Sequence, residues 1–497
     1  MGRRRNDITN QQRAQIALEI LSPHRPWGTV QRLAAEYQVQ RKTLYEIART
    51  GQQALEQALQ PGPYGPQAQE KTIVVDRNRL ARGSVVLSAA GVSQRDVVRC
   101  LQELLDSQVS ASWVQAELDK AEAAAAVQNA AWTPPIPETL AGDEIYSNGS
   151  PNLLVVGNDS LYIYALTRQP SCDGDTWGLI LLERPAVTQF ASDGGTGLAA
   201  GAKAAAVKAH QLDWDHMLRP LWGQAARLEK QAYAALEKVE ARVRKIDQTN
   251  TPKRLAQHWA AWEKLSGQAA AKIDHYDQFL EIARQVDSWF ALIDMESGQL
   301  RDPVLGVQDL HALSAQLQTW PGRIYKKLSD NLSNFAAGLF AYHPVWTQAL
   351  APLVTQWGKT GIHLLSQIWQ IEADEQRHPW SLRERHARQT LWETCLDQAV
   401  ALLGPDQLWQ AWDALCNVLN RSWRGSMLAE CINSLLRPVL NKRKHTDQGC
   451  LELFRFWHNV RPFERGKRAG YSPAQLAGLE LADDPLTLLG FKPKVFS

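Results

Sequence analysis

Apolar positions over residues 10–60 recur every three to four residues, the period of an amphipathic helix. In WGTVQRLAAEYQVQRKTLYEIARTG, Val30, Leu33, Ala34 and Tyr37 share one face, Val39 sits in a short break, and Leu44 and Ile47 mark a second helix. The stretch predicts two helices joined by a tight turn. QPGPYGPQAQEK follows, rich in Pro and Gly and uncharged until its end, and reads as a linker over 61–72. Helical periodicity returns in VVLSAAGVSQRDVVRCLQELLDSQVSASWVQAELDKAEAAAAVQNAAW. Ser93 and Ser110 stand where N-caps belong, and an alanine-rich helix runs to about residue 131.

At TPPIPETLAGDEIY the texture changes. Prolines end the helix, and short runs of strand-forming residues follow at 139–145, 153–157 and 161–166, separated by Asn, Gly, Ser and Asp. A helix-compatible run at 176–183 and a further strand at 186–192 complete a β-β-β-α-β order. Residues 196–208 are Ala/Gly-rich and helical in character, and from 222 to about 420 nearly everything is amphipathic helix. The expected division is a helical domain over 1–60, the linker 61–72, and a second helical domain over 73–132. An α/β core follows over 133–221, interrupted by an all-helical insertion over 222–418 and completed by 419–497.

Composition adds bounds. With 497 residues, 44% hydrophobic and 21% charged, the chain has the make-up of a multidomain globular protein. No apolar run approaches the roughly 18 residues that a membrane span requires, and the basic N-terminus has no apolar stretch behind it, so neither a membrane nor a secretory signal is expected. The six cysteines are scattered without a CxxC pair, which points to reduced thiols and a cytoplasmic setting. The net charge of +2 conceals two basic ends: nine Lys/Arg against five Asp/Glu in residues 1–60, and thirteen against seven in 421–497. Both suit a polyanion, and both also suit ordinary solvated faces.

Candidate chemistry follows from position. Arg41, Lys42, Thr43 and Tyr45 open the second helix of the first pair, where a recognition helix meets base edges and phosphates; a plain helical hairpin is the alternative. Ser112, Trp113 and Gln115 open a later helix in the same way. Nineteen tryptophans fit either core stripes or base-stacking surfaces, and Trp423, between Arg421 and Arg424, is the one placed best to meet DNA.

QFASDGGTGLAAG, residues 189–201, admits a phosphate-cradling glycine loop or an acid at a strand end. No Lys-Ser/Thr follows the glycines, which favours Asp193 as the functional group, with Gly194 and Gly195 allowing a sharp turn and close approach of a DNA backbone. Asp143 lies on the first strand, with Glu144 on the opposite face by alternation. Glu430 lies in a helix with basic flanks, including Arg437, Lys442, Arg443 and Lys444, and carries Asn433 and Arg437 along its face; Glu452 is its rival. Three converging carboxylates repel one another unless a hard divalent cation sits among them.

These residues carry a resemblance. The element order with an Asp on the first strand, an Asp after the fourth and a Glu on a late helix resembles the RNase H-like fold of DDE transposases and integrases. GDEIYSNGSPNLLVVGNDSLYIYAL, FASDGGTGLAAG, HQLDWDH, and SMLAECINSLLRP with the closing LFRFWHNVRPFERGKRAGYSPAQLAG look like the catalytic domain of bacterial insertion-sequence transposases. The likeness covers about 84–490, with helix-turn-helix DNA-binding segments in front and an insertion similar to those of hAT- and Mutator-like transposases.

The fold so implied is an α/β RNase H-like catalytic domain with a mixed sheet and a large all-α insertion, preceded by helix-turn-helix domains. Asp143, Asp193 and Glu430 are implied as a triad for two Mg²⁺ ions, with Mn²⁺ as an alternative. Asp213 and His216 of LDWDH resemble a C/D-x-x-H motif that supports the active site, although Asp213 and Asp215 also compete for the place of the second acid. The implied partners are double-stranded DNA, as element ends and target, and a second copy of the chain, in a bacterial cytoplasm at the nucleoid. The competing readings are an inactive DNA-binding regulator and a metal nuclease of the same fold without strand transfer.

Overall fold

The computed structural model describes residues 8–22, 25–26, 28–59, 75–135, 139–184, 187–377, 381–442, 446–481 and 484–493. The expected linker 61–72 and the candidates Arg443 and Lys444 lie outside them, as does the side chain of Lys442. The chain forms two compact units, Met1–Val74 and Val75–Ser497. Among the described residues no helix is long and apolar enough to cross a membrane.

The first unit holds α1 (Asn10–Leu21), α2 (Thr29–Glu36) and α3 (Arg41–Ala58). Thr9 and Gln12 form a reciprocal capping box at the start of α1. Ile16, Leu33, Leu44 and Ile47 meet in one small core. The turn between α2 and α3 passes through Gln38 in the left-handed region, at φ 52°.

In the second unit α4 (Arg77–Ala89), α5 (Gln94–Leu105) and α6 (Ala111–Ala131) precede the sheet. Asp76, Ser93 and Ser110 cap their N-termini. Helices α4 to α6, within the stretch 73–132 expected as a domain of its own, share a core with the C-terminal α17 (Gln448–Val460) and α19 (Pro485–Leu488). Val114, Leu118 and Ala125 pack with Leu453 and Phe456, and Trp132 stacks on Phe456 at 5.4 Å. Helices whose apolar faces are this wide need a third layer, and the chain's end supplies it.

The sheet comprises β1 (Leu140–Ser147), β2 (Ser150–Gly157), β3 (Ile163–Arg168), β4 (Gln189–Ser192) and β5 (Ala209–Leu212), in the order β3-β2-β1-β4-β5. The first three are antiparallel; β4 runs parallel to β1 and β5 parallel to β4. Asn148 and Gly149, both at positive φ, close the β1–β2 hairpin. β5 was not among the expected strands: AHQL is four residues long and half polar, and only pairing with β4 makes it a strand. Between strands run α7 (Gly174–Leu182) and α8 (Thr196–Ala204), which cover one face through Trp177, Leu181, Leu198 and Ala202. The other face is covered by α16 (Met427–Lys442) and α17, through Ala429, Ile432, Leu436 and Leu451.

The helical region comprises α9 (Trp214–Asp247), α10 (Pro252–Ser288), α11 (Pro303–Gln318), α12 (Arg323–Leu339), α13 (His343–Trp357), α14 (Lys359–Arg377) and α15 (Leu382–Leu419). It begins at Trp214 rather than at 222, because α9 runs unbroken through that boundary. Trp214, Phe279, Leu332, Tyr342 and Leu415 lie in its core, with Trp222, Trp289, Trp320, Trp369 and Trp412 packed against it. For these tryptophans the core reading holds over base stacking. A four-residue α18 (Pro473–Leu476) follows α17.

Candidate active site

The pairing of β1 with β4 sets the site. Ala141 stands opposite Ala191 on these parallel strands, and two residues further along each chain come Asp143 and Asp193. A step of two returns a side chain to the same face of a strand, so Asp143 falls on the side covered by α16, while Asp193 stands just past the end of β4. Glu144 falls on the other, where its carboxylate accepts from Trp177 Nε1 at 3.0 Å. The expected split of Asp143 and Glu144 across the sheet is present, with both half-buried.

Asp143 is held from two directions. Its Oδ1 accepts the N–H of Glu144 at 2.8 Å, and its Oδ2 accepts Nδ2 of Asn433 at 2.8 Å. Burial pushes its carboxyl up to about 6, against the pull of those hydrogen bonds; the charges of Asp193 and Glu430 add to the rise. Both other acids therefore bear on Asp143 across the fold. Asp193 Oδ1 accepts the N–H of Gly195 at 2.9 Å. Beside it, Ser192 Oγ meets Nε2 of His210 at 2.8 Å, and burial lowers the affinity of that imidazole for a proton while Asp193 raises it. Glu430, in the first turn of α16, is exposed and lies 3.4 Å from Arg219, which also bonds Asp215 at 2.6 Å. Among the described residues no group of three or more His, Cys, Asp or Glu side chains is arranged to hold a metal ion as it stands.

Gly194 lies at φ 81°, so the expected sharp turn is present, and the direction a side chain would take is already filled by protein. A Cβ there would stand 3.2 Å from Leu212 and 3.3 Å from Phe335 of α12. The helical insertion packs directly behind the Asp193 loop.

Asp213 does not compete with Asp193. It is 5% exposed and accepts four hydrogen bonds. Oδ1 takes the N–H groups of Asp215 and His216 at 2.7 and 3.2 Å and so caps α9; Oδ2 takes the N–H and Oγ–H of Ser426 at 2.8 and 2.7 Å. The carbonyl of Ser426 in turn accepts the N–H groups of Ala429 and Glu430. The strap 423–426 is thus sewn to the sheet and to α9 just before Glu430, with Trp214 N–H donating to the Arg424 carbonyl at 3.1 Å and Gln189 Nε2 to that of Trp423. A Cβ on Gly425 would meet Asp213 Oδ1 at 2.9 Å. His216 is exposed, one turn before Arg219.

Several expected DNA contacts are engaged within the protein. Arg424 turns inward: its guanidinium donates to the Phe290 carbonyl and lies 4.2 Å from the centre of the Phe290 ring, and burial lowers its pKa to about 10. Trp423 donates Nε1 to Asp159 at 3.0 Å. Asn433 is 4% exposed and serves Asp143. Trp113 is partly buried in the α6 core, and Gln115 bonds Gln94 and Asp119, leaving Ser112 exposed. Arg437 is exposed on α16, and Arg41, Lys42 and Tyr45 are exposed at the start of α3 opposite buried Leu44 and Ile47. The rival Glu452 is taken up by Asn129 and Gln448 on the α6 side of α17.

Sequence reasoning overlooked Arg219, Ser426 and His210. Ser426 carried a signal, a serine at cap position before the Glu430 helix; the other two depend on tertiary contact. No protein-family model matches the chain, and no curated protein matches it.

Proposed function

We propose that the chain is a DNA transposase of the Asp/Asp/Glu type with an RNase H-like catalytic domain, acting on element ends and target DNA at the bacterial nucleoid. The observation that carries this reading is the placing of Asp143 on β1 and Asp193 just past the paired β4, with Glu430 near enough for its charge to bear on the Asp143 carboxyl. The strand order, three antiparallel then two parallel, supports the assigned fold. The exposed Arg41, Lys42 and Tyr45 at the start of α3 support a helix-turn-helix that reads DNA. Holding two ends together calls for at least two copies of the chain.

The donor set suits a hard divalent cation in its chemistry: all three groups are carboxylates, and a cation would offset both the burial that raises the Asp143 carboxyl and the lesser push of its acidic neighbours. Asp143, Asp193 and Glu430 would hold Mg²⁺, as two ions, or Mn²⁺. Bound there, a metal would supply activation of a water or a DNA 3′-hydroxyl and charge stabilisation for the departing 3′-oxygen. Asn433 orients the Asp143 carboxylate, Gly195 N–H orients Asp193, and the Asp213–Ser426 pair fixes the start of the helix that carries Glu430.

The test incubates the full chain and Mg²⁺ with labelled duplexes tiling the DNA that flanks its gene. Cutting and joining are expected for wild type and for Glu452→Gln, and loss of both for Asp143→Ala, Asp193→Ala and Glu430→Ala with DNA binding retained. Undiminished cleavage by Asp193→Ala would overturn the assignment, and cutting without joining would favour a nuclease.

A further inference from the structure

Between residues 236 and 268, across the end of α9 and the start of α10, only Ile246 is buried. By contrast α9 buries nine positions over 214–235 and α10 five over 269–286, whereas here nearly every position is exposed or half-buried. The seam runs through Val239, Arg242 and Ile246 on α9 and Leu255, His258 and Trp262 on α10, with Arg242 Nη1 2.9 Å from His258 Nδ1. At 1.5 Å per residue the paired segment is about 20 Å long. Its tip is basic: over 242–254, Arg242, Arg244, Lys245, Lys253 and Arg254 face a single acid, Asp247. Four of those five cations are exposed, and Trp259 beside them is 50% exposed.

Resting on the DNA reading above, we infer that this hairpin tip is a sequence-independent contact for the phosphate backbone of duplex DNA. A hairpin with solvent on its outer faces gains little from tertiary burial, so its surface residues are not selected by packing. Five cations against one acid in thirteen residues concentrate a positive field, and among the described residues the ion pair formed there is the exposed Arg244–Glu240, at 3.7 Å. A second copy docking tip to tip would bring two such fields together, whereas a duplex presents a phosphate charge about every 1.7 Å along its axis.

The experiment measures binding of the full chain to a labelled 30-base-pair duplex at stepped NaCl concentrations, for wild type and for the triple variant Lys245→Gln, Lys253→Gln, Arg254→Gln. Gln matches Lys and Arg in helix propensity, so the hairpin should keep its fold, checked by circular dichroism. Three lost phosphate contacts flatten the salt slope by about 2.7, so the fall in affinity between 50 and 200 mM salt shrinks by about 40-fold, equally for unrelated sequences. An unchanged slope with wild type binding DNA overturns the inference. So does a variant that changes the oligomeric state by sedimentation with an unaltered slope, which assigns the tip to a second copy. Absence of any wild-type binding overturns the DNA reading itself and is told apart from the first result by the wild-type curve alone.

Discussion

Replacing Asp213 by Asn isolates the link between the sheet and Glu430. Asn caps helices about as well as Asp, so its Oδ1 is expected to keep the N–H groups of Asp215 and His216. That orientation turns Nδ2 toward Ser426, where a carboxylate oxygen had accepted both the N–H and the hydroxyl. The hydroxyl can rotate to accept from Nδ2; the buried N–H of Ser426 cannot and is left without a partner. An unpaired buried donor costs about 1–3 kcal/mol. Since the loss is local to the strap, it should appear as local opening, with exchange protection across 426–430 falling by roughly 5- to 150-fold. The assay is hydrogen–deuterium exchange with peptides covering 423–432 and 213–219. Protection should drop in the first and hold in the second. Ser426→Ala, which removes only the hydroxyl bond, should produce a smaller change of the same kind. Unchanged protection at 426–430 in Asp213→Asn would refute the reasoning, as would loss confined to the start of α9.

Two further outcomes follow from the packing of the larger unit. Gly194→Ala places a Cβ against Leu212 and Phe335 at φ 81°, so the larger unit should lose roughly 1–2 kcal/mol and melt at lower temperature; an unaltered melting curve would count against the packing of α12 behind the Asp193 loop. His458 meets the Leu161 carbonyl at 2.9 Å, and burial lowers its pKa from 6.5 to about 4. The unfolded chain therefore takes up a proton between those values and the folded chain does not, so stability falls as pH drops from 6.5 toward 4, by about 3 kcal/mol in all. His458→Gln, with an amide to donate in its place, should lose that slope in urea titrations at pH 7 and 4.5, and an identical slope in both proteins would contradict the assignment.

Periodicity is a local property, and whatever rests on it was legible along the chain. The helices of the first unit, the β1–β2 hairpin at Asn148–Gly149, the caps Ser93 and Ser110, and the placing of Asp143 and Glu144 on opposite faces all follow from neighbouring residues. The positions of Asp143 on a strand, Asp193 at a strand end and Glu430 on an amphipathic helix were legible in the same way. Burial and pairing between distant segments are not local, and there tertiary structure decided. AHQL becomes a strand only because β4 offers a parallel edge. Arg424 and Arg437 look alike in a basic stretch, yet Phe290 draws one inward and solvent keeps the other. Asn433 serves Asp143 because α16 crosses β1, and Asp213 became the tie between two ends of the fold because Ser426, more than two hundred residues later, turns two donors toward it. A carboxylate in an alternating pattern carries no mark of which donors will reach it; that depends on where the rest of the chain comes to lie.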